Sequence, residues 1–208
     1  LFIYSMARRL ALKNNIQLKL DTISGFQNDF YHRKYILYHF NIQAEIATPY
    51  ESFQSAFGLF RRKIQIKVGQ LQRFEKRSYI IEEKKQFDPR VMELQVKRKI
   101  YIQGLWQSEF YFKDIESDIR RDLKILHPHN FNIIKIAERM QSVNSISLHA
   151  RSYKEVPQAD GATTLSMDYY RKATNVIAGK ISNPHFFCFS DNLDWLKTNL
   201  KINFPVTS

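Results

Sequence analysis

Cysteine occurs once in this chain of 208 residues, at Cys188, so no disulfide can form within it. Glycine is nearly as scarce, and its six positions form neither a Walker lysine loop nor a G-x-G-x-x-G turn. His-Glu-x-x-His and Gly-x-Ser-x-Gly are missing too, which removes the common zinc-protease and serine-hydrolase readings. No apolar run approaches the length that crosses a bilayer, and Arg8 and Arg9 interrupt the apolar stretch from Leu1 to Leu12. A reducing cytoplasm is the expected compartment. Acidic residues are also in deficit, 20 against 32 Lys and Arg, for a formal charge of +12. Such a surface attracts phosphates, anionic headgroups or nucleic acid. Zinc-finger spacing, a basic heptad region and RNP-like strands are all absent, which places a basic nucleic-acid-binding protein well behind a nucleotide-binding one, and no nucleic-acid partner is expected.

What is present is alternation. Residues 5–14 have a helical period with Asn14-Asn15 as a stop, and Ile16 to Asp21 then alternates like a strand. The opening reads as a helix that follows a strand lying before Leu1. From Ser52 to Phe74 the chain is basic and amphipathic, with Arg61-Arg62-Lys63 beside Phe57, Leu59 and Phe60. It reads as a solvated helix face, with peripheral contact to an anionic membrane surface as the functional alternative. Short strands are expected at 79–83 and 99–103, around Asp88-Pro89, where proline suits a first helical turn. A long helix is expected from Phe110 to Ile125, with Asp114, Glu116, Asp118 and Asp122 as solvated charges beside Arg120 and Arg121. Beyond Asn130 the expected order is helix 131–141, strand 144–150, helix 166–181, strand 185–190, helix 192–200 and strand 201–206. That rhythm predicts an α/β fold with parallel strands, divided near 126–130 into residues 1–129 and 130–208.

Two loops at strand ends carry the chemistry. His149-Ala150-Arg151 closes the run from Asn144, and open α/β sheets bind phosphates at such carboxyl ends. The guanidinium of Arg151 offers a planar fork that matches a diphosphate, with His149 two residues earlier on the same side. The plain alternative is a salt bridge from Arg151 to a neighbouring loop. Phe189-Ser190-Asp191-Asn192 ends the next apolar run, and Asp191 either caps the following helix or faces the same crevice, where a carboxylate suits a guanine edge. Cys188, inside that run, reads as core. With few glycines, a phosphate site here relies on side chains. The histidines near residue 32 have no partners at metal-ligand spacing, and no metal is expected.

Several segments together resemble the bacterial α-1,2-fucosyltransferases, an inverting family that uses GDP-fucose. They are Leu1-Phe2-Ile3-Tyr4-Ser5-Met6-Ala7, Leu18-Lys19-Leu20-Asp21, Arg33-Lys34-Tyr35, Phe40-Asn41-Ile42, the Trp-Gln-Ser block at 101–112, Ser166 to Ala173, and Phe187 to Trp195. The resemblance implies two Rossmann-like domains of GT-B type, the second incomplete because the family's Ser-x-Phe-Ser-Trp-Trp segment would lie beyond Ser208. It implies an acceptor-side domain at 1–129 and a nucleotide-sugar domain at 130–208, a GDP-sugar donor, a glycan acceptor and no cofactor. It assigns Arg151 to the diphosphate as the catalytic charge, with His149 and Ser190 beside the GDP-sugar and Asp191 at the guanine. Trp106, Gln107, Ser108, Glu109 and Tyr153 become candidates for the acceptor or cleft, and no base is singled out among Glu109, Glu155 and Asp160. The sequence departs from the family in one place. Where the donor motif runs His-x-Arg-Arg-x-Asp, positions 149–154 are His-Ala-Arg-Ser-Tyr-Lys, which keeps open a non-catalytic binding relative.

Overall fold

The first helix, α1 (Phe2–Asn14), ends where Asn15 turns left-handed at φ 48°, a conformation asparagine tolerates. The side chain of Asn14 then ties the helix end to the chain opposite: its amide donates to the Leu10 and Leu94 carbonyls, and its Oδ1 accepts from the Val96 amide at 2.8 Å. The expected stop is real and is anchored on both sides. This computed structural model describes residues 1–27, 29, 33–84, 86–126, 130–151 and 165–207. His32, Tyr153, Glu155 and Asp160 lie outside the described residues.

The chain divides into two compact units, Leu1–His127 and Pro128–Ser208. In the first, Met6 and Leu10 of α1 pack with Phe74, Ile80, Val91, Leu94, Trp106 and Tyr111. Two small parallel sheets accompany them: β1 (Lys19–Leu20) with β2 (Glu45–Ile46), and β3 (Tyr79–Ile81) with β4 (Tyr101–Gln103). Helix α2 (Ala56–Gln70) is capped by Ser55, whose hydroxyl accepts from the Gly58 amide. A Cβ on Gly58 would stand 2.9 Å from the Phe53 Cα, so this face of α2 lies directly on backbone.

The expected long helix at 110–125 is corrected. Two 3-10 turns, Glu109–Tyr111 and Lys113–Ile115, precede a short helix, α3 (Glu116–Asp122), because Phe112 sits at φ −147° and breaks the helical path. Asp122 is also corrected, from solvated to completely buried. Its Oδ2 accepts from the Tyr4 hydroxyl at 2.7 Å and from Arg8 Nε at 3.0 Å, while the Gln43 amide donates to the Tyr4 oxygen. Burial, reinforced by the bond to Asp122, pushes the Tyr4 phenol above its ordinary pKa. Asp114, expected in solvent, is held by Arg9 at 2.8 Å. The expected strand at 16–21 shortens to Lys19–Leu20, and the one at 201–206 is displaced to Val206–Thr207, overlapping it only at Val206.

At the start of the turn before α2, Glu51 accepts from Lys19 Nζ at 2.8 Å and from the amide and hydroxyl of Thr48. The lysine contact, helped by Thr48, lowers the Glu51 pKa to about 2. A carboxyl whose folded pKa lies below its unfolded value stabilises the fold above the unfolded value, and loses that contribution as pH falls towards the folded one. The melting temperature is therefore expected to drop between roughly pH 5 and pH 2, and Glu51→Gln should flatten part of that slope. Identical melting curves for the two proteins across this range would remove Glu51 from the acid response.

The second unit is a three-stranded parallel sheet in the order β5 (Asn144–Ala150), β6 (Pro184–Ser190), β7 (Val206–Thr207). Helix α4 (Phe131–Ser142) enters β5, α5 (Met167–Ala178) lies between β5 and β6 in sequence, and α6 (Leu193–Asn199) follows β6. Tyr170 of α5 and Leu196 of α6 bury Leu148, Ala150, Phe186 and Cys188. Burying an apolar side chain of this size contributes about 1.5–3 kcal/mol, which is what fixes both helices against the sheet. The thiol of Cys188 is core as expected, and burial pushes its pKa up, away from nucleophilic use. No helix among the described residues is long and apolar enough to cross a membrane.

Candidate nucleotide-sugar site

Strands β5 and β6 pair in parallel without a slip, from Asn144 opposite Pro184 to Ala150 opposite Ser190. A parallel pair in register delivers both carboxyl ends to the same edge. Arg151 leaves one strand there and Asp191 leaves the other, with Arg151 Nε 3.9 Å from Asp191 Oδ2. The structure thus brings together the two side chains that the sequence separates by forty positions.

Asp191 does not cap the next helix. That task falls to Asn192, whose Oδ1 accepts from the Trp195 amide at 3.1 Å. Ser190 steadies the corner: its hydroxyl accepts from the Asn192 amide at 3.0 Å and lies 3.4 Å from Asp191 Oδ1. The Asp191 side chain keeps 15% of its surface, and Arg151 keeps 44%. At 3.9 Å the contact is longer than a hydrogen bond, and the half-exposed guanidinium stays accessible to an anion from solvent. His149 is exposed and opposite Phe189 in the strand register. The salt bridge expected from Arg151 to a neighbouring loop is present, and its partner is Asp191.

The Trp-Gln-Ser block of the first unit is held differently. Of the two readings of Trp106, a ring for a sugar or base and a core residue, the structure takes the second: it is 1% exposed and packed edge-on against Tyr111 at 5.4 Å. The reason lies in its backbone, which turns left-handed at φ 54° and sends the indole inward. Glu82 holds the turn, its two oxygens accepting from the Leu105 and Trp106 amides at 2.7 and 3.1 Å. Gly104 makes room at φ 149°, where a Cβ would meet Glu82 Cβ at 2.5 Å. Gln107 and Glu109 are exposed, and Ser108 is half-buried with its hydroxyl accepting from the Phe110 amide. Glu82 was not a sequence candidate. The β3–β4 register, with Ile81 opposite Gln103, is what sets it beside the loop. No cluster of three or more potential metal ligands occurs among the described residues.

Residues 24–206 match glycosyl transferase family 11. The chain belongs to that family. It is also 24% identical over 204 residues to an alpha-1,2-colitosyltransferase from Escherichia coli, an alignment covering 95% of this chain and 66% of that protein. The chain thus spans just under two thirds of the length of this relative. No solved structure matches it. The observed mixture of helices and parallel strands is compatible with a glycosyltransferase fold.

Proposed function

We propose that this family 11 chain is a glycosyltransferase that moves a fucose- or colitose-type sugar from its GDP-activated form to a galactoside hydroxyl of a glycan. The linkage is α-1,2, the anomeric centre inverts, and the setting is assembly of surface polysaccharide. In this reading the second unit is the donor half of a GT-B type enzyme and the first is the acceptor half. The acceptor hydroxyl attacks the anomeric carbon and gives up its proton to a general base as the bond to the diphosphate breaks, and the departing diphosphate gathers negative charge. Arg151 meets that charge with a preorganised fork, Asp191 orients it and reads the guanine, and His149 and Ser190 flank the donor. Gln107, Ser108 and Glu109 are the acceptor-side groups within reach of solvent.

The observation that carries this reading is the approach of Arg151 and Asp191 to 3.9 Å at the carboxyl ends of two parallel strands, in a chain of this family. Its test supplies GDP-fucose and GDP-colitose separately with a β-galactoside, following GDP release and fixing the product linkage by NMR. Acceptor-dependent release with either donor is the expected result. The altered positions 152 and 154 of the donor motif favour a second reading, a non-catalytic relative. GDP binding by calorimetry without transfer from either donor would select that one.

A further inference from the structure

Helix α2 buries one face and leaves the opposite one bare. Gly58 and Gly69 are buried, and Arg62 and Gln65 lie on the same side of the helix, half-buried. At 100° per residue the opposite side is an apolar stripe. It comprises Phe57, Phe60, Ile64 and Val68, 73%, 61%, 45% and 46% exposed, and runs on into Leu71 at 90%. Large apolar residues strung along four turns are more than the scattered exposed side chains that any surface carries.

The charges beside the stripe narrow what can cover it. Lys63 and Lys67 stand along one edge, both exposed and without an ion pair among the described residues. Arg61 is different, because its guanidinium donates to the carbonyls of Tyr50, Glu51 and Ser52. The fifteen residues of α2 include no Asp or Glu. Two copies meeting antiparallel through this face would set lysines against lysines, and meeting parallel would set them towards the edge that carries Arg61, so cations face cations either way and self-association is disfavoured. A surface with negative headgroups above acyl chains satisfies both parts at once: the stripe enters the apolar boundary and the lysines meet the headgroups.

We propose that α2 docks the protein onto an anionic lipid surface, with Phe57, Phe60 and Leu71 inserted and Lys63 and Lys67 at the headgroups. This rests on the helix alone and is independent of the donor site. The test is co-sedimentation of the intact protein with phosphatidylcholine vesicles and with equimolar phosphatidylcholine and phosphatidylglycerol vesicles. Binding is expected only to the anionic vesicles and should weaken with salt. Lys63→Gln with Lys67→Gln should lower the partition coefficient roughly fivefold per lysine. Phe57→Ser with Phe60→Ser, and separately Leu71→Ser, should lower it as well, while thermal melting stays near wild type because these side chains are exposed.

Equal binding to neutral vesicles, failure to bind either kind, or unchanged binding by all three variants would overturn the proposal. So would sedimentation equilibrium showing a dimer that the serine variants dissolve, which would make the stripe an interface between copies. Loss of vesicle binding with GDP release intact would separate this role from catalysis.

Discussion

Arg151→Ala is expected to lower GDP release in the presence of acceptor by on the order of 10² to 10³, the cost of removing a preorganised donor from a developing anion. Melting should change little, since the 3.9 Å contact to Asp191 is longer than a hydrogen bond and Arg151 keeps 44% of its side-chain surface. That combination, a large loss of rate with an intact fold, is what a charge reserved for substrate produces. Arg151→Lys should recover only part of the rate, because an ammonium keeps the charge but loses the two-pronged fit to adjacent phosphate oxygens. Asp191→Asn would let the fork wander and weaken donor binding. Turnover of Arg151→Ala within a few-fold of wild type would refute the assignment.

The largest stability effect is expected in the other unit. Asp122→Ala should cost about 3–5 kcal/mol, read from the midpoint and slope of denaturant unfolding, because it strands the partners of a buried charge. Those partners are the Tyr4 hydroxyl at 2.7 Å and Arg8 Nε at 3.0 Å. Arg8 keeps 18% of its side-chain surface, so partial rehydration should bring the value towards the lower end. Tyr4→Phe should cost less, about 1–3 kcal/mol, by unpairing the Gln43 amide and one carboxylate lone pair. A loss below about 1 kcal/mol for Asp122→Ala would mean that the carboxylate is not the tie between α1 and α3.

The second unit was the more legible in the sequence. The apolar alternation of Asn144 to Ala150 and the continuous apolar run of His185 to Ser190, separated by a helical period, leave few options besides a parallel pair, and that pair fixes where Arg151 and Asp191 emerge. The first unit misled for physical reasons. The stripe Phe112, Ile115, Ile119, Leu123 has the spacing of one helix, but Phe112 itself departs from helical geometry, and sequence spacing carries no sign of that. Asp122 resembled its charged neighbours because the groups that bury it lie 118 and 114 residues away. Trp106 was recognised as notable, yet its direction depends on a left-handed backbone stabilised by Glu82, a contact that exists only after β3 and β4 have paired.

The chain has two tryptophans, and each compact unit holds one. Trp106 is sealed in the first core, whereas Trp195 is half-buried beside the second. Intrinsic fluorescence is therefore a built-in pair of local thermometers. With Trp195→Phe the remaining emission reports the melting of the α1-to-α3 half alone, and the difference from wild type reports the sheet that carries Arg151.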